Sequence, residues 1–193
     1  MLDKKLIGFS GFARSGKNTA CEILCSILRD NNTIYAEYAF ASELKRKIDP
    51  MVKSLFGFSA FTESQDEKEI LRPILVAVGE AARKIDPDFW LNIVCEQIKL
   101  RDAGVKHHGV DCHMILVTDV RYENEAKRLQ ELGGKIIHLE REGLQPPNEE
   151  ERINTPKVKA VSDLVIDWPV FPCKESLEAG GRDIMMQALK LLT

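Results

Sequence analysis

Residues 11–19 read Gly11-Phe12-Ala13-Arg14-Ser15-Gly16-Lys17-Asn18-Thr19 and satisfy the spacing G-x-x-x-x-G-K. Residues of these types in this order suit the holding of phosphate. The glycines let successive backbone N–H groups point into one concavity, a helix opening at the lysine adds the positive end of its dipole, and the Lys17 ammonium reaches the outer phosphates of a nucleotide. This is the P-loop, or Walker A, arrangement. The hydroxyl that ordinarily follows the lysine as a Mg²⁺ ligand is Asn18 here, and it arrives one place later as Thr19. Asn18 can still offer a neutral oxygen, with the metal held mainly by phosphates and water.

A second candidate is Asp119, at the end of the apolar run Met114-Ile115-Leu116-Val117. In open α/β sheets ligands gather at the carboxyl ends of strands, which would put this acid beside the phosphate loop; its plainer reading is an N-cap on the next helix. Further along, Arg72, Val76, Gly79 and Arg83 share one face of a helical pattern, next to the apolar stripe Leu71, Ile74, Leu75, Val78, Ala82 and Ile85. A glycine between two arginines leaves room for a ligand. The alternative is a pair of solvated helix arginines, and for Lys45, within Lys45-Arg46-Lys47, a solvated helix face. Phe89 and Trp90 are either core or platforms for a base.

The elements that must position these residues follow from period. Residues 5–10, 33–39, 113–118, 135–139 and 163–167 read as strands, separated by helical stretches, which predicts an α/β fold with a parallel sheet covered on both faces. The first crossover, residues 18–29, carries the stripe Ala20, Ile23, Leu24, Ile27 and Leu28. Another, residues 123–132, is stopped by Gly133-Gly134. The connection from residue 39 to 113 is far longer than one crossover needs and must hold several helices. Pro73 within it predicts either a kink or a helix beginning near Leu71 or Arg72. Residues 141–162 contain Asn148 followed by Glu149, Glu150 and Glu151, an N-cap with acids in the first helical turn.

Composition bounds the rest. The 193 residues are 44% hydrophobic and 30% charged, enough for one domain with its own core. Lys+Arg 27 against Asp+Glu 30 gives a net charge of -3, so no basic field draws nucleic acid, and any anion must be held by local cations. The sequence shows no apolar run of membrane-spanning length and no signal peptide, so a cytoplasmic location without membrane partners is expected. Five cysteines without a paired spacing fit free thiols in a reducing compartment. Cys21 and Cys25 share a helix face and read as buried thiols, and the run His107-His108-Gly109-Val110-Asp111-Cys112-His113 matches no standard metal-site spacing.

Taken together, the loop with its late threonine, Phe40-Ala41-Ser42-Glu43-Leu44-Lys45, Arg72 through Gly79 to Arg83, Asp86-Pro87-Asp88-Phe89-Trp90 and Asp119-Val120-Arg121-Tyr122-Glu123-Asn124-Glu125 resemble the deoxynucleoside monophosphate kinases of tailed bacteriophages. The resemblance spans about residues 5–141. It implies a single domain over residues 1–193: a P-loop three-layer sandwich with a five-stranded parallel sheet, a helical acceptor-binding insertion at about 40–112 and a small lid at about 141–162. It implies ATP and Mg²⁺ as cofactors, small nucleotides as substrates, and residence in the host cytoplasm if the source is a phage; monomer and homodimer both stay open. Members of this group often carry an acid at the position of Asn18, and the 148–152 segment departs from an arginine-rich lid.

A monophosphate acceptor is already anionic, so transfer to it needs positioning and charge neutralisation rather than a strong base. On this reading Gly11, Ala13, Arg14, Ser15, Gly16, Lys17, Asn18 and Thr19 hold the ATP phosphates. Thr19 and Asp119 place Mg²⁺, directly or through water, and Lys17, Arg14, Asp119 and Arg141 serve catalysis. Phe40, Lys45, Arg72, Arg83, Trp90 and Arg121 bind the acceptor, Arg141 and Arg152 close from the lid, and Trp168 borders the adenine. Two alternatives stand: a kinase of the animal phosphomevalonate type, with a similar loop and another acceptor, and a nucleotide-binding module without turnover.

Overall fold

The computed structural model describes residues 5–102 and 113–192. In chain order it contains β1 (Lys5–Ser10), α1 (Lys17–Asp30), β2 (Tyr35–Tyr38), α2 (Phe40–Phe56), α3 (Gln65–Ile85), α4 (Phe89–Asp102), β3 (Met114–Val120), α5 (Glu123–Glu131), β4 (Lys135–Glu140), α6 (Glu149–Val161), β5 (Leu164–Asp167) and α7 (Lys174–Leu192). The strands pair in parallel in the order β2-β3-β1-β4-β5. The three central strands are near-continuous apolar runs because both of their faces are covered.

Side-chain alternation assigns the layers. Ile7 and Phe9 of β1, Leu116 of β3 and Leu139 of β4 pack with Leu24 and Cys25 of α1 and Met185 of α7. The opposite face takes α5 and α6. Gly8 points that way, where a side chain would lie 2.7 Å from Ile136 and 3.3 Å from Leu129, so its absence lets α5 close on β1. The three-layer α/β sandwich expected from the sequence is therefore present.

By contacts the chain divides into two compact units, Met1–Tyr38 with Ile98–Thr193, and Ala39–Gln97. The first holds the whole sheet with α1, α5, α6 and α7. The second holds α2, α3 and the start of α4, and has its own small core of Ile48, Val52, Ala60 and Leu71, flanked by Leu44, Phe58, Ile74, Leu75 and Val78. In that unit α3 begins at Gln65 and runs through Pro73, so of the two alternatives at that proline the start near Leu71 or Arg72 is not the one seen. Its stripe is buried at Leu71 but runs out at Ile85, which is 87% exposed. No helix among the described residues is long and apolar enough to cross a membrane.

Candidate functional site

The phosphate loop leaves β1 in the middle of the sheet, where Ser10 is level with Val120 of β3 and His138 of β4. Its turn depends on two glycines. Gly11 has φ 137 and a Cβ there would stand 2.3 Å from the Leu139 carbonyl oxygen; Gly16 has φ 101 and a Cβ there would strike the Trp168 ring at 2.5 Å. Arg14 also takes a positive φ, 67, and is exposed at the tip. α1 then opens with Lys17, Asn18 and Thr19, without an acid in its first turn, so the positive end of its dipole faces the loop. α6 does the reverse, with three glutamates in its first turn and Asn148 accepting a 2.8 Å hydrogen bond from the Glu151 amide.

One of those glutamates reaches the loop. The Ala13 N–H donates to Glu151 Oε2 at 2.7 Å, and Arg121 lies 3.6 Å from Glu151 Oε1. Glu151 is only 9% exposed, so its charge must be matched by partners, and the loop amide and the guanidinium are those partners. Lys17 Nζ donates to the carbonyls of Gly11 and Phe12 at 2.8 and 2.6 Å. Burial lowers its pKa to about 8, opposed by Glu151 and Asp119 and assisted by Arg121. Arg141 donates to the Arg14 carbonyl at 3.4 Å. Three cations, Lys17, Arg121 and Arg141, thus converge on one loop, and an oxyanion already sits on one of its amides.

Arg121 is held by its own backbone. Buried Glu125 accepts from the N–H groups of Arg121 and Tyr122 at 2.8 and 3.1 Å, fixing the turn between β3 and α5. The N-cap position of α5 is Tyr122, so Asp119 is a half-buried residue of β3 rather than a helix cap. Its charge acts on Lys17. His138, 2% exposed, lies with Nδ1 3.3 Å from Ser10 Oγ, and burial lowers its pKa to about 4. Among the described residues Ser15 Oγ, buried in the loop, has no hydrogen-bond partner, which makes it a polar atom suited to an incoming anion. The donor set therefore fits a polyphosphate with its cation.

The other expected residues fall as follows. Arg121, expected at the acceptor, lies beside the phosphate loop, 3.6 Å from Glu151. Thr19, assigned to Mg²⁺, lines a groove with Ile23, Lys174 and Leu177, while Asn18 lines the cleft that also contains Thr118, next to Asp119. The neutral oxygen on the β3 side of α1 is therefore that of Asn18. Arg152 is exposed and paired with Glu149 in its own helical turn, at 2.7 Å, rather than turned to the loop. Trp168 is buried, with its ring against Gly16 and Gly181, so it supports the loop from within the core.

In the second unit the room expected at Gly79 is filled. Trp90 Nε1 donates to the Gly79 carbonyl at 3.3 Å, and Leu44 and the Arg83 guanidinium lie over the missing side chain. Trp90 and Phe40 are each 4% exposed, which makes them core; Phe89, edge-on to Trp90 at 4.9 Å, is the more open aromatic at 37%. Lys45 stands 5.8 Å over the Phe61 ring, and Arg72 is exposed. Of the His107 to His113 run, residues 107–112 lie outside the described residues. Sequence reasoning missed Glu125, His138 and the loop contact of Glu151; a glutamate on an otherwise buried helix stripe was the available signal.

No protein-family model matches the chain. A protein of Acanthamoeba polyphaga mimivirus, provisionally named a deoxynucleotide monophosphate kinase, is 29% identical over 153 residues, covering 72% of this chain and 75% of that protein. An uncharacterized protein, ORF76, of Ictalurid herpesvirus 1 is 28% identical over 141 residues, 73% of this chain and 50% of its own. The chain thus spans half the length of that herpesvirus relative. Among solved structures, shikimate kinase from Acinetobacter baumannii in complex with shikimate aligns over 98% of this chain and 93% of its own, with 16% identity and a TM-score of 0.48. Shikimate kinase from Bacteroides thetaiotaomicron aligns over 96% and 98%, with 11% identity and a TM-score of 0.46.

Proposed function

We propose that this protein is a kinase that transfers the γ-phosphoryl group of ATP to a deoxynucleoside monophosphate. The observation that carries the reading is the oxyanion contact at the loop: a carboxylate accepts from the Ala13 amide with Lys17, Arg121 and Arg141 around it. The mimivirus relative's name supports the choice of acceptor.

In this reading an oxygen of the acceptor phosphate attacks the γ-phosphorus, the bond to the β-γ bridging oxygen breaks, and that oxygen leaves with ADP. The attacking oxygen is already ionised, so the protein's contribution is alignment and charge. Lys17 and the loop amides hold the donor phosphates, and Arg121, fixed through Glu125, offsets charge as it spreads over the moving group. Arg141 ties the start of the 141–162 segment to the loop tip. Mg²⁺, when bound, neutralises donor phosphate charge, with Asn18 and Asp119 as the side chains for it or its water. Lys45, Arg72 and Arg83 supply cations for the acceptor and Phe89 an aromatic face for its base.

The test is ADP formation from ATP and Mg²⁺ with dAMP, dCMP, dGMP, dTMP and phosphomevalonate supplied in turn. Turnover with one or more deoxynucleotides is the expected result and names the base. Turnover with phosphomevalonate alone transfers the enzyme to isoprenoid phosphates, and nucleotide binding with no turnover on any of the five refutes the kinase assignment for these acceptors.

A further inference from the structure

Cys21 and Cys25 stand one helical turn apart on α1, and Glu37 of β2 reaches toward them, with Cys25 Sγ 3.4 Å from Glu37 Oε1. The two sulfurs and a carboxylate oxygen all lie within 4.8 Å of one another, and among the described residues this is the one group of three or more metal-ligating side chains so placed. The sequence reading of two inert core thiols accounts for the burial of the cysteines but not for a carboxylate drawn to them. All three line a cleft of about 310 Å³, which Asn18, Glu22, Arg29 and Thr118 complete. The donors are therefore reachable.

We propose that Cys21, Cys25 and Glu37 form a binding site for a thiophilic divalent cation, zinc by preference, on the flank of α1. Tetrahedral zinc takes sulfur at about 2.3 Å and carboxylate oxygen at about 2.0–2.2 Å, which places two sulfurs on one ion about 3.8 Å apart. Small side-chain rotations bring the three donors from their present spacing to that geometry. Two thiolates select zinc over magnesium, whose preference is for oxygen, so this site and the oxygen donors near the phosphate loop take different ions. The local charge agrees: Glu22 adds an acid to the cleft, and its one arginine, Arg29, donates to the Tyr35 hydroxyl at 2.7 Å. The fourth ligand position opens to the cleft, where water completes it. An ion here ties the edge strand β2 to the helix that begins at Lys17.

The test is cobalt addition to the reduced, metal-free full chain in excess Mg²⁺, followed by displacement with zinc. One equivalent of Co²⁺ with thiolate-to-cobalt charge-transfer absorption is expected, lost in the Cys21→Ser/Cys25→Ser double variant and bound at least tenfold more weakly in Glu37→Gln. X-ray absorption on the unsubstituted zinc-loaded chain should show two sulfur neighbours, which keeps the test decisive if the double variant does not fold. A first shell of nitrogen and oxygen alone, undiminished binding by a folded double variant, or no bound ion overturns the proposal.

Discussion

Replacing Glu151 with glutamine should tighten nucleotide binding. The carboxylate accepts a 2.7 Å hydrogen bond from the Ala13 N–H and lies 3.6 Å from Arg121. A phosphate that takes the same amide must displace it. A hydrogen bond to a charged group contributes about 1.5–3 kcal/mol and a neutral one about half as much, so glutamine lowers the displacement cost by about 1–1.5 kcal/mol. The ion pair adds little, because half of the Arg121 side chain is exposed. Since about 1.4 kcal/mol is tenfold in affinity, the Kd for ATP at pH 7 should fall about five- to tenfold. Titration calorimetry measures it, and thermal melting of the free protein should show a modest loss of stability in the same variant. An unchanged or weaker Kd would mean that Glu151 and phosphate do not compete for Ala13. A lost kcat with unchanged Kd would refute the argument differently, by assigning the carboxylate a part in transfer itself.

Lys17 titrates near pH 8, so in the free protein it is mostly charged at pH 7 and mostly neutral by pH 9. Phosphate binds the charged form, and ATP affinity should therefore weaken above about pH 8, up to tenfold per unit, with uptake of a proton; calorimetry in two buffers of different ionisation heat reads that proton, and Lys17→Ala should abolish both the uptake and the transfer. His138 has a folded pKa of about 4 against 6.5 unfolded, so the unfolded chain binds more protons between those values and stability falls as pH drops from 6.5 toward 4. The loss is about 3 kcal/mol for a shift of this size, read by urea denaturation at pH 7 and 4.5, and His138→Asn should flatten the difference. Arg83→Ala should raise the acceptor KM and leave the ATP Kd unchanged; lower stability with unchanged kinetics would make Arg83 a cover for Gly79 and Trp90 alone.

The sheet was legible because buried parallel strands are apolar throughout, and Met114-Ile115-Leu116-Val117 has no other plausible place. The loop was legible because its chemistry is local: two glycines and a lysine at fixed spacing before a helix. Pro73 alone leaves the start of α3 open between a kink and a boundary, whereas Ser64-Gln65-Asp66-Glu67 carries the Ser-x-x-Glu signature of a helix start at the observed place. Trp90 and Gly79 each left two readings open in sequence. A glycine on a helix face is equally the mark of space for a ligand and of cover by neighbours, and here Leu44 and the Arg83 guanidinium lie over that space while Trp90 bonds the Gly79 carbonyl.

The glutamates show what a periodic reading leaves out. Any acid in the first turn of α6 suits the dipole, so Glu149, Glu150 and Glu151 look equivalent in sequence. Which one turns inward is set by the rotation of the helix, and its buried residues, Glu151, Thr155 and Val158, fall at i, i+4 and i+7. α5 repeats the pattern with Glu125 beside Ala126 and Leu129. A count of apolar positions discards both acids as surface, yet burial makes an unpaired carboxylate costly, so each must be satisfied by a specific donor. Those donors are the Ala13 amide for one and the Arg121 and Tyr122 amides for the other. The acids that break the buried stripes are thus the ones that hold the phosphate loop and its arginine in place.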